Sequence, residues 1–529
     1  MVGRARHALG GHALLAAIIV AGAALRVRLY LIDRSLWTDE AALARNILGR
    51  SFAGLARPLD WAQVAPAGFL WLEKLATVLA GPGELALRAV PLVAGIATLA
   101  MFAAVARRLL TPAVAAFALV IVAFSPPLLY FSAEVKPYAL DAAVSTGIVW
   151  LALEAGRAPI TARRTALALA GALAPWLSQP AVFGLGAAAA FVAWPALRAR
   201  RWGALRGVAP VLACWAVGAG SAVWWALHVV PRAAHDYLVS FWNADFPPIA
   251  SGAVAVAAWT GRAVAGIFAF QIPAPLAWIA LGLGALGLVQ LGRRVAGGVL
   301  LVAGPAMLVL AASALRLYPL AGRLSLFLAP VVALAIGGGL EWLAEHAAGH
   351  PASRGAVAAL AATCVALSAA SVRYVPTTRE ELRPVIRYVA AHRRPGDAIY
   401  VYYGAEQAFR YYAPRFGLTS AAYQVGHCAR DDWRAYTAEL DALRGHPRVW
   451  LVLAHPFSRA GIDEQRLFLG YLGHLGRRAG GFTAPGAIAA LYDLGDSTRA
   501  ARGPAGYVPP ASGDTTGVRE RCFGVVAAR

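Results

Sequence analysis

Ser35-Leu36-Trp37-Thr38-Asp39-Glu40 follows closely on an apolar run from about Ala13 to Leu31. Two adjacent carboxylates flanked by Leu36 and Trp37 therefore stand at the end of a membrane-length segment. An ionised group there is costly unless it is solvated, paired or at work. A carboxylate at such a place can take the proton from an attacking hydroxyl, which is general-base work and makes Asp39 the first candidate. Glu40 beside it would raise its neighbour's pKa or share a divalent cation with it. The plainer reading is an N-cap, with Thr38 or Asp39 opening a helix that begins at Ala41.

The whole chain reads as a membrane protein. Its 529 residues are 59% hydrophobic and 14% charged, with a mean hydropathy of +0.60, too apolar for an ordinary soluble protein. Most of the +21 formal charge falls before residue 380, where cytoplasmic loops gather Lys and Arg. Topology and contact with anionic lipids explain that excess, and no nucleic-acid partner is implied. Only Lys74 and Lys136 are lysines.

The first run follows Arg4 and Arg6 but is not succeeded by a small-residue cleavage site, so it reads as a retained helix running outward. Residues 33–84 are too polar to span. Leu43, Ile47 and Leu48 recur at helical spacing, as do Phe69, Leu70, Leu72 and Leu75. They predict amphipathic helices along the membrane surface of one long external loop, with a turn over Gln63 to Gly68. Further apolar runs at roughly 86–106, 113–131, 139–156, 165–178, 181–197, 207–230, 275–291, 298–315, 324–342 and 355–372 bring the expectation to about eleven spans. Alternating them puts Arg107-Arg108, Arg163-Arg164, Arg198 to Arg206, Arg293-Arg294 and Arg354 inside and most acids outside. Residues 230–275 form a second external segment that is either re-entrant or interfacial.

After Pro376 the texture changes. Leu382 to Val389 reads as an amphipathic helix, Asp397 to Tyr403 as a buried strand and Ala405 to Tyr412 as a helix. Arg448 to Leu453 is a strand, Asp463 to Ala479 a helix and Ala487 to Tyr492 a strand. The fold class is thus a polytopic helical membrane domain, residues 1–375, with a small extracytoplasmic α/β domain over 376–496. The Gly-, Pro- and Ser-rich tail 497–529 is expected to be poorly ordered.

Other groups suited to chemistry share the outer side. Glu73-Lys74 follows Phe69 and Trp71, and a lysine there can bind a phosphate as a point charge or snorkel beside Glu73. Glu134, Lys136, Tyr138 and Asp141 join two spans. Tyr138 and Asp141 share a helix face, and an acid one turn into a span marks a functional path. The alternative is a local pair, Lys136 with Glu134 or Asp141. Arg323 can grip a phosphate bidentately, whereas Arg316 reads as an interfacial anchor. His228 and His235 lack a spaced ligand set. Cys428 and Cys522 share a compartment that allows a disulfide, and Cys214 and Cys364 are expected to pack in spans. No phosphate-cradling Gly-rich loop, zinc motif or serine-nucleophile elbow is present.

Taken together, Leu36 to Ala41, Pro66 to Lys74, Ser125-Pro126-Pro127 with Glu134 to Asp141, and Pro319 to Pro330 resemble the GT-C glycosyltransferases that use polyprenyl-phosphate sugars. The likeness is to the protein O-mannosyltransferase and aminoarabinose transferase branch. It implies inverting transfer of a hexosyl or pentosyl group from a lipid-phosphate donor to a lipid, glycan or protein acceptor. The setting would be the outer face of a bacterial plasma membrane, with the N-terminus cytoplasmic. It further implies Asp39 as base, Lys74 and Arg323 on the donor phosphate, Glu73 positioning Lys74, and Tyr138 and Asp141 lining the cavity. It names no cofactor outright, and a divalent cation is compatible with it. Relatives often carry a histidine or tyrosine where this chain reads Ala65-Pro66-Ala67-Gly68-Phe69, a departure that weakens the case for a metal on that loop. A transporter or flippase would instead favour broken helices and mid-membrane polar sites. A glycan polymerase or ligase would favour a large external loop rich in Arg and His.

Overall fold

A computed structural model of the chain describes residues 2–155, 161–272, 276–430, 433–459 and 462–496. The tail 497–529, and with it Cys522, lies outside the described residues. A helix stands at each of the eleven expected spans. They are α1 (Val2–Leu31) and, after the shorter α2 (Thr38–Gly49) and α3 (Ala67–Ala80), α4 (Glu84–Leu109) and α5 (Pro112–Phe124). The α5 span continues into α6 (Pro126–Phe131), broken where Pro126 and Pro127 remove backbone donors. Then come α7 (Tyr138–Ala155), α8 (Thr161–Leu177), α9 (Ala181–Arg198) and α10 (Trp202–Val229). After the short α11 (Arg232–Phe241) and then α12 (Ala253–Gln271) follow α13 (Ala277–Arg294), α14 (Gly298–Ala314), α15 (Ala329–His346) and α16 (Pro351–Ser371).

Among the described residues, eight helices are long and apolar enough to cross a membrane. Seven of them are expected spans, and the eighth is α12, in the segment whose sequence allowed a re-entrant or interfacial path. The α12 helix is tied to its neighbours by hydrogen bonds. Trp259 Nε1 donates to Ala244 O at 3.4 Å, and Ser125 Oγ donates to Gln271 O at 3.2 Å. The central helix is α15, buried along most of its length. It crosses α13 backbone to backbone, since a Cβ on Gly287 would lie 1.7 Å from Ala335 O. Small residues at such a crossing replace the hydrophobic drive that helices lack in lipid. Cys364 is buried as expected, but Cys214 is exposed on α10.

The C-terminal part begins with α17 (Leu382–His392), then β1 (Ala398–Val401), α18 (Glu406–Tyr412), β2 (Gln424–Val425) and α19 (Trp433–Asp441). The chain continues through β3 (Val449–Ala454), a ribbon of β4 (Ser458–Arg459) and β5 (Ile462–Asp463), α20 (Glu464–Leu475), β6 (Arg477–Ala484) and β7 (Ala487–Asp493). The main sheet has the order β2-β1-β3-β7-β6, parallel across its first three strands and antiparallel across the rest. The helix expected to reach Ala479 ends at Leu475, where Gly476 is extended, and residues 477–484 instead form an edge strand. Arg477, Arg478 and two glycines gave that strand no apolar signature, and exposed charge suits an edge. Cys428 is disulfide-bonded.

The two parts share one core. Leu36, Leu43 and Ile47, between α1 and α3, pack in the same buried cluster as Leu382, Ile386, Phe409 and Tyr412.

Candidate active site

Helix α2 begins at Thr38, with Trp37 at its N-cap and no side chain capping from that position. The N-cap reading of Thr38 or Asp39 is thereby overturned. Neighbours on a helix point about 100° apart, so Asp39 and Glu40 diverge instead of sharing a proton or a cation.

Glu40 faces inward and is fully buried. Arg88 grips it at both oxygens, Nη2 to Oε2 at 2.8 Å and Nε to Oε1 at 3.1 Å, while the Val135 N–H donates to Oε1 at 2.8 Å. Burial would raise this carboxyl, but Arg88 and Arg34 hold it below its ordinary range. Glu40 thus fastens α2 to α4 and to the turn before α7. The expectation that it acts with Asp39 is corrected.

Asp39 faces a different set of partners. Its Oδ1 lies 3.0 Å from Lys136 Nζ and accepts from Gln63 Nε2 at 3.0 Å. Gln63 Oε1 in turn accepts from Lys136 Nζ at 2.8 Å, so three side chains close a triangle. Asp39 Oδ2 lies 3.9 Å from Arg323 Nη2. Burial alone would raise the Asp39 carboxyl. The charges of Lys136 and Arg323 outweigh it, with hydrogen bonds from Gln63 and Lys136, and bring it down to about 2. An opposite charge at this range favours the ionised form.

Arg323 enters from the 3-10 segment Gly322–Leu328. Its guanidinium carbon lies 5.4 Å from the Trp242 ring and 5.9 Å from the Tyr138 ring, and Nε has no hydrogen-bond partner. It is aimed at Asp39 but not saturated by it, as an anion-binding arginine must be. Beside it, between α12 and residues 320–325, a cavity of about 300 Å³ is lined by Asp245, Trp259, Arg262, Gly322 and Ser325.

Glu134 accepts from Trp37 Nε1 at 3.1 Å and lies 3.8 Å from Arg34. Burial and the nearby Glu40 raise its carboxyl. Asp141 is buried one turn into α7, with Oδ1 unpartnered. Glu73 is also fully buried, and neither of its oxygens has a partner. Burial and Glu40 push its carboxyl well above the ordinary range, and it makes no hydrogen bond with Lys74. Lys74 itself is not brought to Asp39, because its Nζ donates to Leu48 O at 3.1 Å, near the far end of α2. The lysine beside Asp39 is the other one, Lys136.

Sequence reading missed Gln63, Arg88 and Trp242. Arg88 had a signal, since it is an arginine inside an apolar span and such residues are rarely idle. Gln63 had none, because a lone amide in a turn has no period to betray it. It follows Trp61 and Ala62, both in the left-handed region at φ 58° and 51°, a costly arrangement of the kind that gathers at functional sites. Arg316 donates to Asn243 Oδ1 at 2.8 Å, and His228 bonds the Trp224 carbonyl. Among the described residues, no three His, Cys, Asp or Glu side chains stand where they could hold a metal.

No known sequence family and no curated protein matches the chain. Solved structures do. ArnT from Cupriavidus metallidurans bound to undecaprenyl phosphate aligns over 91% of this chain and 98% of its own, at 14% identity and a TM-score of 0.51. The oligosaccharyltransferase of Archaeoglobus fulgidus aligns over 83% and 69%, at 13% identity and a TM-score of 0.48. The likeness to ArnT, over nearly the full length of both chains, shows that this chain has the GT-C fold.

Proposed function

We propose that the chain is an integral-membrane glycosyltransferase that moves a sugar from a polyprenyl-phosphate donor to an acceptor on the extracytoplasmic face. The observation that carries this reading is the approach of two cations, Lys136 and Arg323, to the single carboxylate Asp39. Phosphate departure requires positive charge, and attack requires a base. This site holds both within one side-chain length. The undecaprenyl phosphate bound to ArnT supports a lipid phosphate as the ligand.

Lys136 and Arg323 neutralise Asp39. An incoming donor phosphate competes for them, Arg323 first because its contact with Asp39 is the looser one. Asp39 thereby loses the charges that depress its basicity. The acceptor oxygen then bonds to the anomeric carbon on the face opposite the phosphate. The carbon–oxygen bond to phosphate breaks with its electron pair leaving on the lipid phosphate, and the acceptor proton passes to Asp39. Arg323 and Lys136 stabilise the charge that develops on the leaving group. In this account Lys136 takes the donor-phosphate role that the resemblance gave to Lys74, Tyr138 stands beside Arg323, and Glu40 is structural. The protein would sit in a bacterial inner membrane with its α/β domain outside.

The test is transfer of labelled sugar in proteoliposomes from a panel of polyprenyl-phosphate sugars. Donor-dependent turnover supports the reading. Movement of lipid or solute across the bilayer without transfer would replace it with a transporter.

A further inference from the structure

Helix α2 carries no cap of its own. Trp37, at the N-cap, offers no oxygen to the free N–H groups of the first turn. The Thr38 N–H donates instead to Glu380 Oε2 at 3.2 Å, a carboxylate 342 residues further along the chain. Glu380 is buried, and its other oxygen lies 2.7 Å from His455 Nδ1. A carboxylate at this end also opposes the helix dipole favourably.

The grip extends along the whole stretch. The Thr38 hydroxyl donates to Gly404 O at 2.6 Å, the Leu36 N–H to the Tyr412 hydroxyl at 2.7 Å, and the Ser35 hydroxyl to Glu381 at 2.9 Å. The Arg379 guanidinium lies 3.3 Å from the centre of the Trp37 ring. His455, 6.0 Å from the same ring, holds a left-handed backbone at φ 53°. A non-glycine residue keeps that conformation only where its surroundings impose it.

Gly404 and His455 lie just beyond the carboxyl ends of β1 and β3, which are parallel neighbours. With β2 on the other side of β1, this is where strand order reverses, the crevice in which open α/β sheets place ligands. Here the crevice receives the start of α2.

We propose that the C-terminal domain is a working part of the active site, in which Glu380, braced by His455, is a positioning residue. It fixes the first turn of α2 and hence the place of Asp39, one residue beyond the capped N–H. The inference rests on the reading of Asp39 as base.

The test uses the full chain in proteoliposomes, with an undecaprenyl-phosphate sugar that the wild type turns over. Glu380→Ala is expected to lower kcat about 10- to 100-fold, the cost of a misplaced reacting group, with affinity for undecaprenyl phosphate unchanged. Hydrogen exchange should quicken over residues 35–44 alone. Glu380→Gln keeps an acceptor for the Thr38 N–H and restores most of kcat. His455→Ala, a milder change, gives the same pattern in smaller measure. The proposal is overturned by wild-type kcat in Glu380→Ala, by equal loss in the Ala and Gln variants, or by exchange rising throughout the fold. A wild type inert with every donor overturns the transferase reading instead, and exchange over 35–44 still decides whether Glu380 caps the helix.

Discussion

Lys136 Nζ lies 3.0 Å from Asp39 Oδ1 and also donates to Gln63 Oε1 at 2.8 Å. One ammonium thus serves the carboxylate and the amide that orients it. In the proposed mechanism a donor phosphate meets a lysine already desolvated and directed, and takes its charge away from Asp39. Donor binding and base activation would then be one event.

Arg323 should bear on the donor more than on the fold. Arg323→Ala is expected to lower kcat/KM by about 10- to 100-fold, or roughly 1.4–3 kcal/mol, through loss of a charge-assisted contact to phosphate. Arg323→Lys should recover little, because an ammonium cannot reproduce the planar fork. Steady-state kinetics with varied donor, beside thermal midpoints, checks both.

Lys74→Met should leave donor affinity within about twofold of wild type, since Lys74 Nζ is bonded to the Leu48 carbonyl and a single such bond contributes only about 1 kcal/mol. Lys136→Met should weaken donor binding markedly. Binding of undecaprenyl phosphate to the two variants separates the lysines, and the reverse ranking would restore Lys74 to the site.

Glu40 and Arg88 should behave as structure. Removing one partner from a buried ion pair leaves the other charge uncompensated, at a cost of about 3–5 kcal/mol. Glu40→Ala and Arg88→Ala should therefore lower the thermal midpoint in detergent. The double variant should be less unstable than the two single losses together.

The acid limb of stability carries a signature of Asp39. Its carboxyl falls from 3.8 to about 2 on folding, Lys136 and Arg323 overcoming burial. A depressed carboxyl binds its proton more weakly when folded. The stability it adds is therefore present above about pH 4 and lost as pH falls through about 2. The amount is about 2 kcal/mol. In Lys136→Met the loss should begin at higher pH, which thermal melts between about pH 2 and 5 would show.

Much of this was legible in the chain, for identifiable reasons. Apolar runs located the spans, because lipid forbids unsatisfied backbone. Asp39, Lys136 and Arg323 stood out as charges beside apolar segments. What escaped was partnership. Which lysine reaches Asp39 depends on how the turn before α7 folds over α2, and Lys74 and Lys136 look alike until that is known. Gln63 and Glu380 reach Asp39 and Thr38 through hydrogen bonds across 24 and 342 residues, which leave no periodic trace. The β6 strand was missed because its exposed, glycine-containing run borrows its order from β7.

The most direct test of the account is Asp39→Asn in proteoliposomes, with sugar transfer and undecaprenyl phosphate binding measured on the same preparation. Asparagine keeps the size of the side chain and removes its basicity. The account predicts a fall in kcat of about 10²- to 10⁴-fold, the contribution of a positioned general base, while the lipid phosphate still binds. Transfer at the wild-type rate in Asp39→Asn would contradict it.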